Sequence, residues 1–171
     1  VNVAGGATLA FGKSTDINYL GAINGAGNLI QRGSGVLAFT TAQGYTGGTI
    51  IESGTVRISG LGSVGTSGQT VDIRNTGTFH IGETTGDYTL VNTIKGNGTL
   101  VADLGGSGSS VNAFDFGSSA AAYGTDFSGT VEMRQTAYTP GDAMQAFLNT
   151  GSAPGRTTTT RRVGSLPAAS P

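Results

Sequence analysis

The chain has 171 residues, which suits one domain, and carries a formal net charge of −1 with 11% charged side chains. That charge is too low for a highly charged disordered segment, and no basic stripe with interleaved aromatic residues indicates nucleic-acid binding. Cysteine is absent, which excludes disulfides, and no apolar run approaches the roughly 20 residues of a membrane-spanning helix.

The segment 1–23 predicts short strands separated by glycine turns. Apolar residues stand two positions apart in three pairs: Val1 and Val3, Leu9 and Phe11, Ile17 and Tyr19. Strands this short do not bury a face by themselves, so they need neighbours above and below. An open ladder at the start of the chain invites strand pairing, and we expect further protein to precede it.

A short phrase, glycine followed by alternating apolar residues, sets the period of the chain. It starts at Gly35, Gly54, Gly77 and Gly98, at separations of about 19, 23 and 21 residues. Periods of this size mark solenoids, in which each repeat supplies one coil. We therefore predict an all-β fold, a right-handed parallel β-helix with about 19–23 residues per coil and one continuous apolar core.

A longer similarity relates the two halves of the repeat region. Residues 25–30 match residues 96–101 at an offset of about 71, and residues 45–50 are echoed by residues 127–131 about 81 positions later. The second copy therefore contains an insertion of about ten positions, most simply in 105–110 or near Ala120. Insertions of this kind map to loops on one side of a repeat protein.

The coil pattern predicts a β-helix segment over residues 1–138. After it, residues 141–148 form the one helix-like stretch, with Asp142 as N-cap and Gly151 as its end, so we predict a capping segment over 139–153. Residues 154–171 show neither the repeat nor a strand pattern. We predict a flexible or off-pattern tail there.

The stretch from residue 27 to residue 58 has a specific order of residue types. It contains Gly27-Asn28-Leu29-Ile30-Gln31-Arg32-Gly33-Ser34-Gly35-Val36-Leu37, then Tyr45-Thr46-Gly47-Gly48-Thr49-Ile50, then Gly54-Thr55-Val56. This order resembles the passenger-associated repeat of bacterial autotransporters, which have a pertactin-like β-helix. The resemblance is looser over 88–138 and absent beyond about 150. Gln31 replaces the usual lysine, a change that we expect to be exposed and without effect on the fold.

The resemblance implies a segment of a type V secreted passenger that a C-terminal outer-membrane barrel carries to the surface of a Gram-negative cell. On that basis we expect a structural stalk or adhesin at the cell surface or outside the cell. The expected partners are a host-cell or bacterial surface ligand and further copies of the chain, with no nucleic acid. Membrane attachment would come only through a barrel, and without that barrel and a signal peptide we expect no self-export.

Three aspartates in the second half raise an enzymatic alternative, a β-helical polysaccharide lyase or hydrolase. Asp103, Asp115 and Asp126 follow one another there, and such chemistry needs two carboxyl groups at a defined separation. No histidine, lysine or arginine stands close by in the sequence to support them. We therefore prefer solvated turn aspartates and a protein that is not an enzyme.

The other candidate sites favour structural interpretations. Gly25, Gly27, Gly47 and Gly48 open no helix and precede no Gly-Lys-Ser/Thr, so we interpret them as turn glycines rather than a phosphate loop. His80 is the sole histidine and is predicted to point outward, where alone it forms neither a metal site nor a catalytic triad. We predict no catalytic residue, no metal and no cofactor.

Threonines on the outer faces of the strands are candidates for glycan binding or glycosylation, although β-propensity and solubility explain them as well. They are Thr40, Thr41, Thr46, Thr49 and Thr55. Asn97 with Thr99 forms a formal glycosylation sequon that we discount for a bacterial protein. The off-pattern tail after Gly155 also allows a third interpretation, a truncated or engineered segment whose only property is folding.

Overall fold

The fold is known from a computed structural model, which describes residues 1–60, 62–82, 88–105, 112–115, 123–137, 144–147 and 158–160. Side chains are described for residues 1–60, 62–82, 90–103 and 126–134. The described residues form nineteen strands and no helix. Over these ranges, therefore, no helix is long and apolar enough to cross a lipid bilayer.

The strands are short, from two residues in the first to eight in the longest, so each covers only one side of a narrow coil. In chain order they are β1 Asn2–Val3, β2 Thr8–Phe11, β3 Ile17–Tyr19, β4 Asn24–Gly25, β5 Asn28–Gln31, β6 Val36–Phe39, β7 Gly44–Tyr45, β8 Thr49–Ile51, β9 Thr55–Ser59, β10 Thr70–Ile73, β11 Thr78–Gly82, β12 Tyr88–Thr89, β13 Thr93–Gly96, β14 Thr99–Gly105, β15 Asn112–Asp115, β16 Tyr123–Phe127, β17 Thr130–Ala137, β18 Met144–Phe147 and β19 Thr158–Thr160.

All strand pairs between these elements are parallel, and they build four sheets. A seven-stranded sheet has the order β19-β17-β14-β11-β9-β6-β3, and a six-stranded sheet has the order β16-β13-β10-β8-β5-β2. Two three-stranded sheets contain β1-β4-β7 and β12-β15-β18. Each of these pairs joins strands of successive coils, which is the arrangement of a β-solenoid. The predicted all-β parallel fold is confirmed.

The predicted coil length is also confirmed by the register of the seven-stranded sheet. Its successive ladder partners, each one coil of about 20 residues beyond the last, are Ile17, Leu37, Val56, Phe79 and Leu100. The glycine that precedes each of the later strands accepts a hydrogen bond from the coil above, as when Thr78 N donates to Gly54 O at 2.9 Å. The recurring glycine phrase therefore marks one corner of the solenoid.

The core is a set of side-chain columns that run along the solenoid. In the seven-stranded sheet, Leu37, Val56, Phe79 and Leu100 are each fully buried at 0% exposure. Burying a large apolar side chain stabilises a fold by roughly 1.5–3 kcal/mol, so stacked columns can hold short strands together. At the first coil, Tyr19 packs edge-on against Phe39, with ring centroids 5.9 Å apart.

The proposed copies, residues 25–30 and residues 96–101, are not equivalent in the fold, and this prediction was wrong. Leu29 lies in the six-stranded sheet, whereas its supposed match Leu100 lies in the seven-stranded sheet. The similarity has a local cause. Gly25 and Gly96 both have a positive φ, at 101° and 97°, and each is followed closely by the next strand. Glycine adopts this left-handed conformation without strain, so similar corners recur on different faces.

The expected insertion corresponds to longer coils in the second half. Leu100 pairs with Val131, a coil of about 30 residues rather than about 20, and the register shifts beyond Asp103. In the six-stranded sheet, Ile94 pairs with Tyr123 across a coil of similar length, again with a register shift. Parts of the proposed insertion sites at 105–110 and near Ala120 lie outside the described residues.

Two polar residues that we expected on the surface lie inside. Thr49 is 2% exposed, because β8 alternates with Thr49 and Ile51 inward and Ile50 outward. Its hydroxyl contacts the Tyr45 hydroxyl at 2.5 Å, so both polar groups are satisfied in the core. Gln31 is buried to the same degree, and the expectation of an exposed position was wrong.

The buried amide of Gln31 ties the following corner to its strand. Its Nε2 donates to the carbonyl oxygens of Gly33 and Gly35, each at 3.0 Å. These partners satisfy the buried NH2 group of the amide, and an unpaired buried donor would cost about 1–3 kcal/mol. The amide is therefore part of the corner between β5 and β6.

The region after residue 138 contains strands that the sequence pattern did not predict. Met144–Phe147 forms β18 rather than a helix, because its backbone pairs with Asn112–Asp115 in a parallel ladder. Thr158–Thr160 forms β19 against β17, consistent with the strand preference of threonine. The proposed N-cap Asp142 and helix end Gly151 lie outside the described residues, and the domain limits stay a prediction.

Candidate functional site

The outer face of the seven-stranded sheet carries the most distinctive side chains. Strand residues alternate between the core and this face, so Asn18, Ala38, Arg57 and His80 form one outward column in ladder register. Successive members come from successive coils and stand about 4.8 Å apart. The small side chain of Ala38 sits between the longer side chains of Asn18 and Arg57.

A shallow groove of about 310 Å³ lies on this face. Its floor follows from sequence: Val36 and Ala38 of β6 are short apolar residues, so the sheet is lower there than on the neighbouring coils. Its volume is near the lower limit of about 300 Å³ for small-molecule sites. The residues that line it are Asp16, Ile17, Asn18, Val36, Ala38, Thr55, Arg57 and His80.

His80 lies at the β11 end of the groove and contacts a carboxylate on the next coil. Its Nε2 lies 3.5 Å from Oδ2 of Asp103, and both side chains are mostly buried. Burial lowers the pKa of His80 from its ordinary value, and the nearby guanidinium groups of Arg57 and Arg134 lower it further, while Asp103 acts in the opposite direction. The imidazole is therefore neutral at pH 7, with Arg57 as the cation next to it.

A missing side chain makes room for this cluster. Gly82 is two residues beyond His80 and faces outward; a Cβ there would lie 3.2 Å from Nε of Arg57 and 3.3 Å from Nε2 of His80. On a later coil, Arg134 donates to both carboxylate oxygens of Glu132 at 2.8 Å, and this hydrogen bonding raises the pKa of Arg134. The outer face thus holds a compact charged group drawn from four coils.

The three candidate aspartates lie in three different sheets. Asp103 lies in the seven-stranded sheet, Asp115 in a three-stranded sheet and Asp126 in the six-stranded sheet. The ladders do not stack any of them on another, and Asp126 is exposed. Across the described residues, no cluster of three or more histidine or acidic side chains could hold a metal ion.

The glycine pairs lie at corners of the solenoid. Gly48 N donates to Oδ1 of Asn28 at 2.8 Å, and Gly27 N donates to Val3 O at 3.0 Å, so these amides serve the ladder. A Cβ at Gly47 would collide with the Gly27 carbonyl oxygen. These contacts agree with turn glycines rather than a phosphate loop.

The candidate surface threonines are only partly where we expected them. Thr40, Thr41 and Thr46 are exposed and Thr55 is half-buried in the groove, whereas Thr49 is in the core. Asn97 is used structurally, since its Oδ1 accepts a hydrogen bond from Asn75 N at 2.8 Å. The structure therefore does not assign a glycosylation site to any of these residues.

Sequence reasoning missed the charged group on the outer face. It placed no histidine or arginine near Asp103, yet the fold brings His80 beside it and pairs Asp103 with Arg134. A signal was present, because Arg57, His80 and Asp103 are evenly spaced in the sequence, each one predicted coil length from the next. Residues one coil apart in sequence are neighbours in a solenoid.

Comparison with known families singles out the same part of the chain that builds the groove floor. The family model described as passenger-associated-transport-repeat matches residues 29–58, from β5 to β9. Residues 29–58 are similar to this repeat. The predicted autotransporter passenger repeat is therefore confirmed. The repeat supplies Val36, Ala38, Thr55 and Arg57 of the groove, whereas Asp16 and His80 come from the flanking coils.

The repeat and the β-solenoid together fit an autotransporter passenger-like structural domain. The chain is also similar to the uncharacterized lipoprotein YdeK of Escherichia coli (strain K12), with 32% identity over 112 residues. That similarity covers 62% of this chain and 8% of the lipoprotein. The chain thus corresponds to a small part of the length of this relative. No solved structure matches the chain.

Proposed function

We propose that the chain is a segment of a bacterial surface-displayed passenger that acts as a structural stalk and presents an adhesive outer face. The carrying observation is the in-register parallel ladder that continues through the passenger-associated-transport-repeat into the coils on both sides. Such a ladder makes a stiff rod, because every coil is hydrogen-bonded to the coils above and below it. In this proposal the rod lies outside the cell, in association with the outer membrane.

The stalk role has a direct test. In this test, the chain is inserted in place of an equal length of the passenger of an autotransporter that keeps its own signal peptide and barrel. Antibody labelling of intact cells then measures how much of the chain is displayed. We expect labelled rods that external protease cleaves slowly. Display of a rod that protease removes as fast as an unfolded passenger would overturn the stalk role.

The adhesive role is supported by the concentration of polar and charged groups on one face of the rod, around Arg57, His80 and Asp103. Beads coated with the folded chain should attach to host epithelial cells or to other bacteria more than beads coated with the heat-unfolded chain. Equal attachment of both bead types would remove the adhesive part of the proposal and leave the stalk part intact. The proposed role is not enzymatic, and the position of Asp103 and Asp115 in different sheets supports this.

Self-association is part of the same proposal. The inward side chains of the first coil, including Leu9, Phe11, Ile17 and Tyr19, are only partly buried against the core, and Leu20 nearby is 73% exposed. Partly exposed apolar side chains of this kind can bind a second copy of the chain. Light scattering on the chain over a range of concentrations should show a dimer that Phe11→Lys abolishes; a monomer at every concentration would contradict it.

A further inference from the structure

The outward groove on the seven-stranded sheet has more organisation than a chance depression. It runs across β3, β6, β9 and β11, a distance of about three strand spacings, or roughly 14 Å. Its two ends differ: Asp16 lies at the β3 end, while the Arg57 guanidinium lies toward the β11 end, beside the neutral His80. An occupant should therefore have an acidic group at one end and hydrogen-bond donors at the other.

The acidic end of the occupant is indicated by Arg57. A guanidinium carries a permanent charge and a planar set of donors that matches a carboxylate. His80 lies beside it and is mostly buried, with its Nε2 3.5 Å from Oδ2 of Asp103, so the imidazole forms one wall of the groove. Gly82 leaves the space that both side chains need.

The other end is indicated by Asp16 and Asn18. Asp16 is already oriented, because its Oδ1 accepts a hydrogen bond from Val36 N at 2.9 Å. A carboxylate held in this way accepts hydrogen bonds from hydroxyl groups, and the Asn18 amide can both donate and accept. Thr55 adds a hydroxyl between the two ends.

The floor has a different character. Val36 and Ala38 present short apolar side chains, which suit the C–H face of a saturated ring better than a fully polar chain. The volume of about 310 Å³ limits the occupant to one ring with its substituents. A ring with one carboxylate and several hydroxyls meets all of these conditions.

We propose that this groove binds a single acidic sugar residue of a glycan, with the sugar carboxylate at Arg57, next to the His80 ring, and the sugar hydroxyls at Asp16 and Asn18. The proposal rests on the adhesive part of the proposed function and names its ligand class. Four consecutive coils contribute to the site, so only the stacked solenoid assembles it. Neither a neutral sugar nor an acyclic carboxylate fills both ends and the floor.

His80 provides a specific readout, because it is the sole histidine of the chain and gives one set of imidazole signals. The folded chain is titrated with methyl glucuronoside while the imidazole resonances are followed by NMR. We expect a saturable shift of these resonances. Methyl glucoside, which lacks only the carboxylate, and N-acetylglutamate amide, which lacks the ring, should each bind at least about tenfold more weakly.

Variants test the two features separately. Arg57→Gln removes the charge and should weaken methyl glucuronoside binding about tenfold, to the level of methyl glucoside. Ala38→Leu fills the floor and should abolish binding of every probe. Matched controls are Arg32→Gln, an exposed arginine at a corner, and Ala10→Leu, an exposed outward alanine of β2. Both controls should bind like the parent chain.

Three outcomes would overturn the proposal: no saturable shift of the His80 signals, equal binding of methyl glucoside or N-acetylglutamate amide, or equal losses in the groove variants and their controls. The comparison of probes on the parent chain needs no variant, so a variant that fails to fold does not prevent a decision. Beads that attach to cells while the titration shows no shift would reject this groove and keep the adhesive function. A saturable shift without attachment would keep this groove as a sugar-binding site and reject the adhesive function.

Discussion

Two regions of the solenoid differ in the regularity of their coil length and strand register. In the regular region, 8–82, ladder partners in the large sheets are about 20 residues apart and pair without a shift. In the expanded region, 88–137, the longest coils reach about 30 residues, and both large sheets contain register shifts. Constant coil length keeps the inward columns aligned, whereas added residues distort the ladder locally.

The largest expected effect comes from removing a core ring in each region. Phe79→Ala empties a column position that is 0% exposed, and it should lower the free energy of unfolding by about 3–5 kcal/mol. Phe127, at 5% exposure, lies on a strand whose register is shifted, so Phe127→Ala should cost about half as much. Urea denaturation measures both losses. Equal losses would show that the register shifts do not soften the packing.

A close approach of two coils gives the next effect. A Cβ at Gly77 would collide with the Ile51 carbonyl oxygen of the coil below, so Gly77→Ala should cost about 2–3 kcal/mol. Gly12→Ala is the control, because the nearest atom to its Cβ is Cγ of Arg32 at 3.7 Å. Unfolding midpoints of the two variants are compared with the parent. Similar midpoints would mean that the corner relaxes without cost.

Gly129→Ala carries this comparison into the expanded region. Its Cβ would collide with the Gly98 carbonyl oxygen, the same kind of contact as at Gly77. Because the ladder just before Gly129 is already shifted, between Ile94 and Gly96, we expect a loss of only about 1–2 kcal/mol. Hydrogen exchange of the neighbouring amides locates the change. A loss as large as that of Gly77→Ala would show equally rigid coils.

A smaller effect tests the buried polar pair of the regular region. Tyr45→Phe leaves the Thr49 hydroxyl without its partner and should cost about 1–2 kcal/mol. Adding Thr49→Val should restore most of this loss, since Thr49 stacks between Leu29 and Val71, which are apolar. The double-mutant cycle is measured by denaturation. Additive losses would show that the hydroxyls do not act as a pair.

The smallest expected effect is the pH dependence of His80, which faces Asp103, Arg57 and Arg134. Burial lowers its folded pKa below the ordinary 6.5, so the unfolded chain binds the proton at higher pH than the folded chain. Stability is therefore retained above pH 6.5 and declines as the pH falls from 6.5 to the folded pKa, below which this contribution is constant. His80→Gln should remove this part of the decline. Identical pH profiles for parent and variant would contradict the assignment.

The coil was predictable because the glycine phrase and the inward apolar residues follow from local chemistry. Which polar side chains point into the core was less predictable. Whether Thr49 or Ile50 points inward depends on the register against the coil below, and Gln31 is buried because its amide reaches two carbonyls across a corner. Neither the inward direction of Thr49 nor the hydrogen bonds of Gln31 can be read from the residue pattern.

The candidate site was predicted only in part, for a related reason. His80 was expected outward and is, but its neighbours Arg57 and Asp103 come from other coils. Groove shape depends on differences in side-chain length between stacked coils, as with Ala38 below Arg57. The strand at Met144–Phe147 was missed because ladder pairing outweighed a weak local helix preference.

The parallel ladder also has a mechanical consequence. Its interstrand hydrogen bonds lie along the axis of the rod, so a pulling force along that axis acts on them one coil at a time. A peeled coil of about 20 residues shortens the rod by only about 4.8 Å but releases up to roughly 70 Å of extended chain. A solenoid of this kind therefore lengthens greatly under tension as its coils peel, and each coil that winds back shortens it again.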